Sequence, residues 1–329
     1  MQRPTRTSNR QAILASLIEA KDGFVSGEQL ATSFGISRAA VWKHILALRG
    51  SGYGIESVTN KGYHLTGAAD TLDPGIVGMA ALAPEGFDIV HFASIDSTNR
   101  KAHELAKEGR PEGTLVVSEE QVAGRGRMQR AWVAPKGGLW MSLVLRPEIP
   151  PHKAPLITLV AGVAVAKAIR TVCGLDARIK WPNDVLIGGK KVCGILTEMD
   201  AEMDHVNHVV VGIGLNANNP LDALPSEVRR KVTSLKDEVG KPVSRPLLLK
   251  AILVEFNHYH QALLTDKGRL RMLRAWRGMS DTPGRKVRVE TVGEAVEGVA
   301  VDIDEEGALL VKAKGKVLRV LSGDCVHLR

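Results

Sequence analysis

The sequence predicts an α+β protein in three parts, and three observations predict it. Residues 1–66 show helix-period apolar spacing followed by a short strand pair, residues 67–282 mix apolar strand-like runs with long helices, and residues 283–329 alternate apolar and polar with a period of two. A chain of 329 residues is long enough for each part to bury a core of its own.

In the first part Ile13, Leu14, Leu17 and Ile18 recur at helical spacing, with Ser8 or Asn9 placed to cap, so a helix runs to about Ala20. A second helix covers Ser26 to Phe34, Gly35-Ile36 makes a tight turn, and a third helix covers Ser37 to Arg49. Leu30, Ala31, Phe34, Ile36, Val41, Ile45 and Leu48 meet in one small core, which makes residues 26–45 a helix-turn-helix. Ser37, Arg38, Ala39, Lys43 and Arg49 are left on the outer face. Short residues at the start of such a helix admit it to a major groove, and cations grip phosphates. Tyr53 to Leu65 reads as a hairpin whose turn presents Lys61, which completes a winged helix. Residues 1–66 hold eight Lys/Arg against four Asp/Glu, half of the whole chain's net charge of +8. Operator DNA is the expected partner; a wing used only for protein contacts or dimerisation is the alternative.

Gly67 to Gly86, punctuated by Pro and Gly, reads as a linker and packing segment. Strands are expected at Ile89–Phe92, Thr114–Val117, Leu139–Leu145, Ala177–Lys180, Val185–Ile187, Val192–Leu196 and His208–Gly214, and helices at about Thr98–Glu108, Ala154–Val172 and Arg245–Thr265. Together they predict a mixed sheet with helices on one side. Pro155 to Ile169 is apolar enough to suggest a membrane, but Lys153, Lys167 and Arg170 bracket it and Pro155 suits a first helical turn, so it is read as a core helix. Asn216 to Leu235 has little apolar pattern and is expected to be a mobile, ligand-gated loop. From Pro283 onward the alternation predicts a small β-barrel.

A pI near 9.4 favours anionic partners without naming one. Cys173, Cys193 and Cys325 are odd in number and without CxxC spacing, so neither a disulfide framework nor a metal site is expected. No signal-type apolar segment follows Met1, and a soluble cytoplasmic protein is expected.

Three stretches concentrate polar chemistry between apolar strands. The first, Ser94-Ile-Asp-Ser-Thr-Asn99, offers hydroxyls and an amide either to a ligand headgroup or to a helix N-terminus as caps. In the second, Gln121-Val-Ala-Gly-Arg-Gly-Arg-Met-Gln-Arg-Ala-Trp132, two glycines let the backbone approach a ligand while Arg125 and Arg127 offer guanidinium forks. Trp132 covers a ligand face or packs in the core. The third, Lys180-Trp-Pro-Asn-Asp184, aims Asn183 and Asp184 at a site, and the following Gly188-Gly189 turn sends Lys190 and Lys191 to opposite faces. No Walker A pattern is present. Val211-Gly-Ile-Gly-Leu-Asn-Ala217 resembles a dinucleotide fingerprint, but no βαβ unit follows it and that reading is rejected.

In this order the stretches resemble the bifunctional biotin protein ligase and biotin operon repressor family over nearly the whole chain. Ser26-Gly-Glu-Gln-Leu30, Ser37 to Ile45, Asp96 to Asn99, Gln121 to Arg127 with Trp132, Lys180 to Asp184, Lys191 to Leu196 and Gly212 to Asn216 carry the likeness. The resemblance implies a class II synthetase-like catalytic domain and an SH3-like C-terminal barrel. It implies that biotin and ATP, with Mg²⁺, give biotinyl-5′-AMP, whose biotinyl group passes to a lysine of a biotin carboxyl carrier domain. Carried over by motif, Ser97, Thr98, Asn99, Gln121, Arg125, Gly126, Arg127 and Lys191 bind biotin. Arg125, Arg127, Trp132, Asn183 and Asn216 take the ATP or adenylate; Lys191, Arg127 and Asp184 are catalytic. The adenylate-bound form is implied to dimerise on operator DNA. The chain departs from the family at Met128-Gln129-Arg130-Ala131, where more basic, glycine-containing residues are common, so its loop is less basic and less flexible there. A lipoate-type ligase and a ligand-sensing transcription factor are the rival readings.

Overall fold

A computed structural model describes residues 9–20, 23–50, 52–67, 70–222, 224–291 and 294–328. Ser8, one of the two expected caps of the first helix, lies outside the described residues. The chain divides into two compact units, residues 1–82 with 244–246, and residues 83–243 with 247–329.

In the first unit α1 (Asn9–Glu19), α2 (Gly27–Phe34) and α3 (Arg38–Gly50) precede the antiparallel pair β1 (Gly54–Val58) and β2 (Gly62–Gly67). The turn between α2 and α3 is set locally. Ser26 and Gln29 form a reciprocal capping box at the start of α2, and Gly35 closes it at φ 62°, in the left-handed region that glycine enters without strain. Ile13, Leu14, Leu17, Leu30, Val41, Ile45 and Leu48 then bury against Tyr53 and Ile55, with Ala31, Phe34 and Ile36 packed on the edge, much as the spacing predicts. The expected linker carries two short helical turns, α4 (Pro74–Val77) and α5 (Met79–Leu82).

The second unit is built on a seven-stranded mixed sheet, ordered β3-β4-β5-β9-β8-β7-β6. Its strands are β3 (Asp88–Phe92), β4 (Thr114–Ser118), β5 (Leu139–Leu145), β6 (Arg178–Lys180), β7 (Asp184–Ile187), β8 (Lys190–Ala201) and β9 (Val206–Leu215). Only β3 and β4 pair in parallel. Among the helices that pack on this sheet, α6 (Thr98–Lys107) and α7 (Pro155–Cys173) do not share a side. Register assigns Ser142, Val144, Val210, Gly212, Gly214 and Gly194 to one face and Ile213, Val211, Ile195 and Thr197 to the other. Packing α6 on Val144 and Val210 puts it on the first face, whereas α7 reaches Ile195 and Thr197 on the second. The one-sided sheet is therefore corrected: all seven residues of β5 are buried, as a strand covered on both faces requires.

α7 is long and apolar enough to cross a membrane by length and composition, yet it is the core helix expected, with twelve of its nineteen residues buried. Its Ala and Gly residues permit close approach; a Cβ on Gly162 would already touch Ile179 at 3.4 Å. Backbone hydrogen bonds link described residues of the segment expected to be a mobile loop to the sheet. Lys191 exchanges backbone hydrogen bonds with Lys231 and Thr233, Leu235 N donates to Asn216 O at 2.9 Å, and the segment carries α8 (Ser226–Arg229) and leads into α9 (Leu235–Val239). α10 (Arg245–Ala262) is where the sequence predicts it, and α11 (Asp266–Met279) is a helix the reading missed. Last come β10 (Lys286–Glu290), β11 (Ala295–Ile303), β12 (Leu309–Ala313), β13 (Lys316–Val320) and β14 (Asp324–His327), an antiparallel sheet ordered β13-β12-β11-β10-β14. This five-stranded antiparallel sheet is the small all-β domain that the alternation after Pro283 predicts.

Candidate active site

Ser97 caps α6 in an extended conformation and buries Thr98 and Asn99 in the first turn. Gln121 meets them from the strand extension beside Ile95: its Oε1 accepts from Thr98 N at 2.8 Å and Thr98 Oγ1 at 3.1 Å. Ser142, the one polar residue of β5, lies with Oγ 2.8 Å from Thr98 Oγ1 and 2.6 Å from Asn99 Oδ1. Asn99 Nδ2 donates to Glu198 Oε2 at 2.7 Å. The capping and ligand readings of this turn are thus compatible, because Ser97 caps while Thr98 and Asn99 face inward.

The basic loop is a hairpin. Trp132 N donates to Gly124 O at 2.9 Å, Arg125 bridges Ala131, and Gly126 N donates to Arg130 O at 2.7 Å. Gly124 is required by close approach, since a Cβ there would lie 2.4 Å from Trp132 O. At the tip Met128 (φ 54°) and Gln129 (φ 62°) stand in the left-handed region, unfavourable for side-chain-bearing residues. Arg130 Nη2 donates to Asp324 Oδ2 at 2.6 Å and so ties the tip to β14. Burial pushes the Asp324 carboxyl up, but the Arg130 hydrogen bond and charge outweigh it and hold the group below its usual range. Burial also weighs on the Arg127 guanidinium and lowers its pKa, opposed by Asp324 and Asp184.

Gly188 and Gly189, both at positive φ, form the β7–β8 turn, which leaves Lys190 exposed and turns Lys191 inward. Lys191 Nζ pairs with Asp184 Oδ1 at 2.6 Å and lies 5.3 Å from the centre of the Trp132 ring. Arg127 Nη1 donates to Asn183 Oδ1 at 3.1 Å.

These groups close around one cavity of about 300 Å³, lined by Ser97, Thr98, Asn99, Gln121, Arg125, Gly126, Arg127, Trp132, Asn183, Asp184 and Lys191 together. Three glycines of β8 and β9 floor it. A Cβ on Gly212 would lie 2.0 Å from Asn99 Oδ1, one on Gly214 2.7 Å from Trp132 Nε1, and one on Gly194 3.1 Å from Trp132 Cζ3. The glycines that mimic a dinucleotide fingerprint are there to make room for side chains. Trp132 Nε1 is buried against Gly214 without a hydrogen-bond partner.

Asn216 follows the β9 glycines that floor the cavity. It does not line this cavity; its Nδ2 donates to Thr233 O at 3.1 Å and its Oδ1 accepts from Asn219, so it braces the following segment. Arg130 and Asp324 also line the cavity, and Ser142 and Glu198 hold Thr98 and Asn99 from behind it; none of the four was singled out from the sequence, although a lone serine inside an apolar strand is a signal for Ser142.

The family models agree with this layout. Residues 91–216 match the biotin/lipoate A/B protein ligase family, 9–64 an HTH domain and 282–328 the biotin protein ligase C-terminal domain. A bifunctional ligase/repressor BirA of Bacillus spizizenii is 39% identical over 97% of this chain and 98% of its own. The chain belongs to the bifunctional biotin ligase/repressor family. Another member, from Escherichia coli (strain K12), is 30% identical over 93% of each chain. The biotin protein ligase of Aquifex aeolicus, solved in complex with biotin and ATP, superposes with a TM-score of 0.64 at 26% identity, covering 74% of this chain and 99% of that one.

The ligase/repressor family's DNA-binding part is equally legible. Arg38, Ala39 and Lys43 are exposed on α3, and the exposed Ser37 precedes it and accepts from Ala40 N at 3.1 Å. Lys61 is exposed on the wing, 5.7 Å from the centre of the Phe24 ring. Arg49 is the exception. Its Nε donates to Ile55 O at 2.8 Å and its Nη2 to Ser57 Oγ at 2.6 Å, so it braces α3 against β1 instead of facing outward.

Proposed function

We propose that the chain is an ATP-dependent biotin protein ligase and an adenylate-responsive repressor of biotin-synthesis genes. A biotin carboxylate oxygen attacks the α-phosphorus of ATP, pyrophosphate leaves, and biotinyl-5′-AMP remains bound. The amine of a carrier-domain lysine then attacks the biotinyl carbonyl and AMP leaves. One observation supports the reading above others: Lys191 sits at 2.6 Å from Asp184 in the cavity that Arg125 and Arg127 also line, opposite the Ser97–Asn99 turn.

In this reading Ser97, Thr98, Asn99 and Gln121 hold the biotin end. Lys191 stabilises the charge shared by carboxylate and α-phosphate, where preorganised donors are most effective. Asp184 orients the incoming amine and accepts its proton once substrate has drawn Lys191 away. Arg125, Gly126 and Arg127 close over the adenylate, with Trp132 and Asn183 beside it. Mg²⁺ enters with the nucleotide. The ion is ligated chiefly by the phosphates and water, as Mg²⁺ usually is with nucleotides.

Ser37, Arg38, Ala39, Lys43 and Lys61 contact operator DNA, and the adenylate-bound chain acts as a homodimer on two half-sites. Adenylate and operator then tighten each other's binding by the same factor. ATP and operator DNA place the protein in the cytoplasm. The deciding experiment measures biotin-dependent pyrophosphate exchange into ATP and transfer to a carrier domain, with Mg²⁺ present or omitted, for the unsubstituted chain and Lys191→Ala. Activity that the variant loses is expected; an active Lys191→Ala would remove the lysine from the chemistry.

A further inference from the structure

A second cavity, of about 280 Å³, opens beside the first. The Arg127–Asn183 hydrogen bond stands between them, and Arg127, Asn183 and Ile195 line both. Their chemistry differs. The first collects Arg125, Arg127, Arg130 and Lys191; the second has Arg127 as its one charged lining side chain, among the described residues, and walls of Pro155, Leu159, Trp181, Pro182, Met199 and Leu321. The wall is fixed in place. Trp181 donates its indole Nε1 to Gly307 O at 3.0 Å and its backbone N to Thr282 Oγ1 at 2.9 Å, which joins the β6–β7 turn to the C-terminal sheet. At the rim Met199 and Leu321 are 43% and 55% exposed.

A polyphosphate is poorly matched here, because beyond Arg127, shared with the first cavity, the lining offers only the neutral Asn183, Thr158, Thr197 and Ser322 among apolar walls. The cations for it are all in the first cavity. What still needs a seat is the third reactant, an amine that arrives on another protein. Residues adjacent to the reacting lysine lie about 3.8 Å along the chain from its Cα, so its flanking segment must rest on surface bordering the reacting centre. We infer that the groove between Met199 and Leu321 docks the apolar residues flanking the acceptor lysine, with the C-terminal sheet contributing one wall. This rests on the ligase reading above and names the surface its acceptor uses. An apolar anchor in a preformed pocket is how interfaces concentrate affinity.

The test uses the full chain with Leu321→Asp, Met199→Asp and the conservative Leu321→Met. Pyrophosphate exchange reads the first half-reaction, and the KM for a carrier domain reads the second. Both aspartate variants should raise the carrier KM roughly tenfold or more, since an anchor's loss is worth at least one such factor. Exchange should be unchanged and Leu321→Met should behave as the unsubstituted chain. An unchanged carrier KM in both aspartate variants overturns the proposal. A raised KM for ATP, or exchange that falls in step with transfer, assigns the groove to the nucleotide and overturns it too. No exchange by the unsubstituted chain overturns the ligase reading itself, and the docking surface with it.

Discussion

Replacing Gly212 by alanine adds one methyl where the structure has no room for it. The new Cβ would lie 2.0 Å from Asn99 Oδ1, well inside the 3.4 Å at which ordinary contact begins. Asn99 cannot easily retreat. It is 7% exposed, Ser142 Oγ holds its Oδ1 at 2.6 Å, and Glu198 Oε2 holds its Nδ2 at 2.7 Å. Overpacking in a rigid site costs about 1–3 kcal/mol, and each hydrogen bond given up adds about 1 kcal/mol. Gly212→Ala should therefore lower the urea unfolding free energy by roughly 3 kcal/mol, or keep its stability by displacing Asn99 and weaken biotin binding by a comparable amount. Gly214→Ala is a second test of the floor, because its Cβ would lie 2.7 Å from Nε1 of the half-buried Trp132 ring. A cycle of Gly212→Ala with Asn99→Ala should show coupling of about 1 kcal/mol or more in the compensating direction. A Gly212→Ala chain with unaltered unfolding midpoint and unaltered biotin affinity by calorimetry would refute the reasoning.

Burial and the Lys180 charge bring His327 down to about 4 from an ordinary 6.5, so the folded chain favours the neutral ring. Its contribution is complete above the unfolded value and is lost as pH falls toward the folded one; from pH 7 to pH 5 the loss is about 2 kcal/mol, which His327→Gln should abolish in urea titrations at the two pH values. At the hairpin tip Met128→Val should be less stable than Met128→Gly by about 1–2 kcal/mol, since a β-branched residue tolerates the left-handed region worst; equal stabilities would show the tip is not confined there. Arg49→Ala should lower the melting temperature of the chain through its lost bonds to Ile55 and Ser57, whereas Lys43→Ala should weaken operator binding and reduce its salt dependence by about one phosphate contact; the reverse pattern would return Arg49 to the DNA face.

Local chemistry made much of this readable. The helix from Ser26 to the Gly35 turn, the Gly188-Gly189 turn and the period-two run after Pro283 each depend on residues a few positions apart, and each element stands where it is expected. What escaped depends on distant partners. The two-sided covering of the sheet follows from strand register, which a strand's own sequence does not state. α11 hides Met272, Leu273, Trp276 and Met279 among five cations, although Thr265 and Asp266 mark its start. Asp324 reaches Arg130 across 194 positions, and Asn216 braces a loop whose order depends on backbone pairing with Lys191. Arg49 looked like its neighbour Lys43 because nothing in α3 alone says that β1 will claim its guanidinium.

The glycine floor limits how the chamber can change. Gly194, Gly212 and Gly214 are already the smallest residues available, so substitution at these positions can only raise the floor toward Asn99 and Trp132. Selection or engineering for a bulkier acid therefore has one direction left open, through the walls, with Trp132 and the hairpin that carries it as the parts able to yield. A narrower chamber is one methyl away; a deeper one requires rebuilding the backbone.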